Sequence, residues 1–239
     1  MAKTKSRLAR VADFIETSAT FRLVRILEVL AIFAALVGFF WELQNRSTDR
    51  AVRIATLHAQ IAQTLDTDRG RSAARASVIA LAGENVSMAG INLMGADLRS
   101  LDLSGADFEL SNLAGTSLND ANAQMGDFSG ANLNQADLSG ADFSRSDLSG
   151  AFLLRAGISA VNFTGTNLNG AHLESANLRS SNLTNARLVG ANLNGAFLDG
   201  AELTGTDLTN ASLEGASLVG ACYNSTPPKL PNGYSVPSC

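Results

Sequence analysis

Proline is absent from this 239-residue chain until residue 227, and all four prolines, Pro227, Pro228, Pro231 and Pro237, fall together at the far end. Cysteine is as scarce, with Cys222 and Cys239 the only two. Two cysteines cannot make a disulfide scaffold, and no Cys-x-x-Cys pair exists to hold zinc. The only histidines are His58 and His172, and neither has a nearby cysteine or serine constellation in sequence, so enzyme chemistry is poorly supported. Gly90 and Gly95 give a G-x-x-x-x-G spacing, but Ala96 stands where a phosphate-binding loop needs lysine. The nine-residue motif of calcium-binding β-rolls is also missing. No catalytic residue, cofactor or metal is expected.

Net charge is small, −4, but it hides a split. Residues 1–80 carry 12 Lys/Arg against 7 Asp/Glu, and residues 81–239 carry 6 against 15. A basic front and an acidic rear point to two different environments or partners.

What the chain has in abundance is one pattern. From Met88 to Tyr223 a large apolar residue recurs every five positions, as at Leu93, Leu98, Leu103, Phe108 and Leu113, for 28 positions in all. A small residue, most often Ala, sits two before each centre; Asn or Asp usually sits one before; Gly sits two after in 15 of the 28. A period of five suits neither the 3.6 of a helix nor the 2 of a strand. It is satisfied if each five-residue unit forms one side of a square, four units form a 20-residue coil, and coils stack as a solenoid. One large and one small residue per side then fill a narrow interior, and Gly supplies freedom at the corner.

The A-[N/D]-L-x-G pattern over Met88–Tyr223 resembles the pentapeptide-repeat family. That resemblance implies a mainly β fold, a right-handed quadrilateral β-helix of about seven coils and roughly 34 Å in length at one layer per 4.8 Å. Ile91 and Leu101 are large where a small residue is expected, and Ala123 and Ile158 replace the usual Leu or Phe centre. Local adjustment without a break in register is expected there.

Ahead of the repeats, residues 1–25 are basic, with Leu8, Val11, Phe14 and Ile15 on one helical face, which suits either a solvated helix or one lying on anionic lipid. Residues 26–43, ILEVLAIFAALVGFFWEL, carry no charge from Val29 to Trp41 and end on an interfacial aromatic. They are read as a single transmembrane helix; a signal peptide and a buried soluble helix are the alternatives. Six basic residues before the span against Arg46, Arg50 and Arg53 after it favour a solenoid outside the cytoplasm, in the periplasm of a bacterial inner-membrane protein. Residues 44–83 form a helical stem and N-terminal cap. Ile54, Leu57, Ile61 and Leu65 make an apolar stripe that could pair with a second chain, giving a homo-oligomer, or with the next helix. Residues 66–70 read as a turn, and 72–82 as a helix with Ala74, Val78 and Leu81 on one face, ended by Gly83. The order Trp41-Glu42-Leu43 then Arg46, Arg50 and Arg53 resembles that of membrane-anchored bacterial members of the family.

The repeats span 84–223, and residues 224–239 form a Pro-rich tail that either folds over the last coil or hangs free. A disulfide between Cys222 and Cys239 would pin it there in an oxidising compartment; two free thiols are the alternative.

Two outward features are candidate contacts. Phe152 and Leu154, with Phe197, are apolar at surface positions where polar residues are usual. Asp107, Asp127 and Asp147 fall twenty apart in one acidic column. The first supports a non-enzymatic, membrane-anchored scaffold or protein-interaction module with an unknown protein partner. The second supports an alternative, a DNA-mimicking regulator of a nucleic-acid enzyme, because members of the quinolone-resistance type bind gyrase through such a surface. No direct nucleic-acid binding is expected.

Overall fold

The structure, a computed structural model, describes residues 52, 54–57, 68–84 and 86–239. The basic segment 1–25, the apolar segment 26–43 and His58 lie outside the described residues. Among the described residues no helix is long and apolar enough to cross a membrane. The chain divides into two compact units, Met1–Arg53 and Ile54–Cys239, and the repeats belong to the second.

A helix over Asp68–Gly83 opens the body of that second unit. It begins earlier than the sequence suggests, so residues 68–70 belong to the helix and not to a turn. Glycine costs most in a helix interior, so Gly70 is tolerated in the first turn. Ala74, Val78 and Leu81 are fully buried in the same core cluster as Met88, Leu93 and Leu98. Arg75 Nη1 donates to the carbonyl of Arg99 at 2.6 Å, tying the helix to the first coil. Ile54 and Leu57 are half-buried against the same core, so this part of the apolar stripe is used within the chain. Ile61 and Leu65 lie outside the described residues.

From Asn92 onward the backbone pairs with itself at a spacing of twenty residues, beginning with parallel bridges Asn92↔Asn112, Asp97↔Ser117, Asp102↔Asn122 and Asp107↔Asp127. Each side of the square contributes a single bridge rather than an extended strand, because five residues leave room only for one bridge and one turn. The hydrogen bonds repeat accordingly. Leu93 N–H donates to Asn112 O at 2.8 Å and Gly95 N–H to Ala114 O at 2.9 Å in the next coil, while Ala96 N–H closes the turn onto Leu93 O at 2.9 Å. Closed as a type II turn, that bond needs positive φ at the third residue. Every such corner from residue 90 to residue 220 has one: fifteen are glycine, and twelve are other residues, Leu110 (φ 55°) and Met125 (φ 56°) among them.

The interior holds the large centres and the small partners, nearly all fully buried. Phe108, Phe128, Phe143 and Phe163 form a continuous run of ring contacts, stacked, edge-to-face and tilted in turn, with centroids 5.1, 5.1 and 6.0 Å apart. The irregular positions are absorbed without a slip in register. Ala123 is a small centre, and beside it Gly126 is smaller than the usual Ala; a Cβ on Gly126 would lie 2.7 Å from Phe128 Cε2. The missing methyl therefore makes room for the Phe128 ring. Hydroxyls at the small-residue position are met by carbonyls, as in Thr116 Oγ1 to Leu113 O (2.7 Å) and Ser181 Oγ to Ile158 O (2.7 Å). Ser111 Oγ is the exception among the described residues: buried and without a partner.

The tail folds over the last coil. Its pairing continues with two extra residues, since Asp207 bridges to Lys229, 22 residues on. The offset arises between Cys222 and Thr226: Leu203 N–H still donates to Cys222 O, but Gly205 N–H donates to Thr226 O, 21 residues on, and Pro227 and Pro228 follow it. Tyr223 bridges to Ser238, Tyr234 Oη donates to Leu213 O at 2.9 Å, and Leu230 and Val236 are half-buried on the core. Cys222 and Cys239 are joined in a disulfide, with Cα atoms 5.2 Å apart across 17 residues of sequence. The solenoid is thus covered at both ends, as a stack with apolar centres requires.

Candidate interaction surface

The outward Asn and Asp residues are not merely solvated. Their side-chain Oδ1 accepts the backbone N–H two residues on, as in Asn92 to Met94 (3.2 Å), Asp102 to Ser104 (3.1 Å) and Asp142 to Ser144 (2.9 Å). That bond closes the turn that follows each bridge, which is the local preference of Asn and Asp. Amides also link layers: Asn122 Nδ2 donates to Asp102 Oδ1 and Asn162 Nδ2 to Asp142 Oδ1, both at 3.0 Å.

Asp107, Asp127 and Asp147 share this task. Each accepts from its own turn, the partners being Glu109 N (3.1 Å), Ser129 N (2.9 Å) and Ser149 N (2.8 Å). They are bridge partners in consecutive layers, with no amide between them. Asn167 Nδ2 closes the column, donating to both oxygens of Asp147 at 3.1 Å. Burial would raise the Asp147 pKa, but the bonds from Ser149 and Asn167 outweigh it and hold the carboxyl below its usual range. The acidic column is therefore part of the turn-closing scaffold as well as a surface charge.

Phe152 and Leu154 stand apart from that scaffold. Phe152 is 43% exposed and Leu154 39% exposed on one face. Phe152 occupies a turn-closing position and has no oxygen to offer. The N–H of Leu154 is instead taken by Asn134 Oδ1 in the preceding coil, at 2.8 Å. The same substitution of an acceptor one layer back occurs beneath Arg187, where Val189 N–H reaches Asn169 Oδ1 at 2.9 Å. Above Phe152, the His172 ring stacks on it with centroids 4.8 Å apart and planes 8° from parallel. His172 Nδ1 faces Glu174 Oε1 at 3.4 Å, and Glu174 in turn accepts from Asn192 Nδ2 at 2.6 Å.

Phe197 lies on the neighbouring face, two coils on, and the guanidinium of Arg179, from the coil before it, packs on the ring with its carbon 4.2 Å from the centroid. Arg179 also pairs with Asp199 at 3.0 Å. The structure does not place Phe197 in contact with Phe152 or Leu154. Val189, apolar in sequence, is only half-exposed. Sequence reading overlooked Leu110, Met125 and Val219, which are more exposed than any of these. Leu110 and Met125 take the corner slot where Gly is usual; Val219 follows the centre Leu218.

Two open clefts lie at the helical end. One is lined by Arg75, Asp97, Arg99, Ser100 and Asn119. Its charges are already paired, since Arg99 grips Asp97 at 2.7 and 2.8 Å; that pairing brings the Asp97 pKa down to about 2. The other runs along Val86, Ser87 and Asp107, with Ser87 bonded to Asp107. His172 lines neither cleft; its ring lies against Phe152 and Glu174. At the opposite end, donor atoms of Glu202, Cys222 and Cys239 lie within 4.8 Å of one another.

Comparison with known proteins agrees with this geometry. The family profile for pentapeptide repeats matches in eight copies, over residues 91–124, 127–156, 158–195 and 186–222. A search of curated proteins finds no match. Among solved structures, the chain is similar to the pentapeptide-repeat protein Rfr23 of the cyanobacterium Cyanothece, at 38% identity over 42% of this chain and 64% of that one, TM-score 0.36. It therefore spans just under two thirds of that relative. QnrB1, a plasmid-mediated fluoroquinolone resistance protein, matches at 23% identity over 62% of this chain and 79% of its own, TM-score 0.41. HetL of Nostoc, involved in heterocyst differentiation regulation, matches at 26% over 63% and 87%, TM-score 0.25. With the five-residue register, the positive-φ corners and the profile match all falling on the same residues, the chain belongs to the pentapeptide-repeat family.

Proposed function

We propose that the protein is a non-enzymatic interaction module held at a membrane by residues 26–43, with its solenoid on the periplasmic side and its partner, a protein, docking on the face that carries Phe152 and Leu154. The observation that carries this reading is the Asn134–Leu154 bond. It lets the fold forgo the turn-closing residue at 152, so an aromatic side chain can stand at the surface there without leaving a turn open. Exposed apolar side chains grouped among polar ones are the usual mark of a protein contact. The anchor rests on the uncharged run from Val29 to Trp41. The periplasmic placement rests on the basic excess before that run and on the Cys222–Cys239 disulfide, which persists in an oxidising compartment.

A photo-crosslinking residue placed at 154 in cells should yield a discrete adduct that is lost with Phe152→Asn. The same probe at 169, on the adjoining face, should not. Equal adducts from both positions, or none from 154, would remove the contact. For the anchor, a membrane-impermeant thiol reagent should label intact cells only after reduction, and alkaline extraction should leave the chain with the membrane.

The alternative reading, a DNA-mimicking regulator of an enzyme such as gyrase, is favoured by one observation: the Asp107, Asp127 and Asp147 column has no basic or amide residue between its carboxylates. It requires a cytoplasmic solenoid. Detergent-purified full-length chain should then alter gyrase supercoiling, and changing the three to Asn should abolish the effect. Asn keeps the turn-closing oxygen, so that triple change tests charge without unfolding the turns.

A further inference from the structure

We propose that the C-terminal cap becomes a metal site when its disulfide is reduced: the thiolates of Cys222 and Cys239 and the carboxylate of Glu202 would take one thiophilic divalent cation of the zinc class. The three donors come from three stacked segments. Glu202 and Cys222 are bridge partners in successive coils, and Cys239 lies in the tail laid beside Tyr223. All three donor atoms already lie within 4.8 Å of one another.

The arrangement does not depend on the sulfur–sulfur bond. Leu203 N–H donates to Cys222 O at 2.8 Å, Cys222 N–H to Ala201 O at 3.1 Å, and Cys239 N–H to Tyr223 O at 2.9 Å. Lys229 Nζ on Asp207 at 2.7 Å and Tyr234 on Leu213 O hold the rest of the tail. These contacts keep the two cysteine Cα atoms near their 5.2 Å separation after reduction. Two sulfurs sharing a tetrahedral zinc at about 2.3 Å each stand roughly 3.8 Å apart, which side-chain rotation alone can supply.

Glu202 is already aimed. One oxygen accepts from Thr204, N–H at 3.1 Å and hydroxyl, and the other accepts from the Asn224 amide. That second oxygen is 3.7 Å from Cys239 Sγ. A disulfide sulfur has no proton to donate, so this approach is an oriented contact awaiting a thiol or a cation. Partners of this kind fix a ligand and raise its affinity for metal. Two sulfur donors of three exclude hard cations such as calcium or magnesium, which take oxygen.

The chemistry balances with a dithiol reductant. The disulfide gains two electrons and two protons, and the reductant becomes a disulfide in turn. Binding of the cation then displaces both thiol protons, and the positive charge removes the repulsion that two thiolates beside a carboxylate would otherwise suffer. The cap would thus have two closed states, a covalent one in oxidising surroundings and a metal-bridged one in reducing surroundings.

Cobalt(II) is the probe. The full-length chain, kept in mild detergent and reduced with a phosphine, should bind one cobalt per chain with a thiolate-to-cobalt charge-transfer band, and zinc should displace it. The oxidised chain should show no band. Cys222→Ser and Cys239→Ser should each abolish it, and Glu202→Gln should weaken cobalt binding by about tenfold or more. Should a serine variant misfold, alkylating both thiols of the folded wild-type chain must have the same effect. A reduced chain with no band at micromolar cobalt, or an unchanged band after alkylation, would overturn the proposal.

Discussion

The Oδ1 of Asn134 accepts the N–H of Leu154 at 2.8 Å, across twenty residues of sequence and one layer of the solenoid. Asn134→Ala should therefore destabilise the solenoid by about 1 kcal/mol, the usual net worth of one such bond. Phe152→Asn in the same background should recover most of it, because residue 152 would then close its own turn. Thermal unfolding of the four chains in that cycle measures the coupling; additive losses would show that the two positions do not share the task.

Gly126→Ala should cost about 1–3 kcal/mol, as overpacking of a filled interior does. The new methyl would meet the Phe128 ring at 2.7 Å and two backbone carbonyl oxygens at 3.2 Å, so it has no room to move away from the ring. Near-ultraviolet circular dichroism, which reports the packing of the phenylalanine run, should change alongside the melting temperature.

Ser111→Ala should stabilise the protein by about 1 kcal/mol. Its hydroxyl is buried with no partner, and alanine is the commonest residue at equivalent positions of the repeat. Chemical denaturation would show it, with Thr116→Ala as a contrast, since Thr116 does have an acceptor.

Lys229 holds the Asp207 carboxyl well below its ordinary 3.8, down to about 2. A carboxyl depressed on folding adds stability above its unfolded pKa and loses it as pH falls through the folded one. The contact between tail and solenoid should therefore be at full strength above about pH 4 and fade towards pH 2. In Lys229→Met the melting temperature should depend less on pH within that window and differ little from wild type at its lower edge.

The solenoid was legible because its period is enforced at every turn: a five-residue repeat admits few other ways to bury a leucine every fifth residue. The surface was less legible for the same reason. Asn and Asp at the position before each centre look like solvated filler, and their turn-closing bonds appear only once the backbone is folded. The Asn134–Leu154 substitution needs the coil length as well, since nothing local to Phe152 points twenty residues back. Leu110 and Met125 escaped notice because the corner slot reads as a place for glycine, where a side chain must adopt positive φ and project outward. The helix start at Asp68 was missed because Asp, Thr and Gly nearby look like a turn, while the burial of Ala74, Val78 and Leu81 secures a helix whatever its first residues prefer.

Bridges twenty residues apart make this surface a kind of dial. Duplicating twenty residues would lengthen the rod by one layer and leave every later side chain on the face it had before. Duplicating five would rotate everything beyond by a quarter revolution, carrying Phe197 to another side while Phe152 stayed where it is. Point substitutions leave that alignment alone; slippage within near-identical repeats is what would change it, in quarter-turn steps.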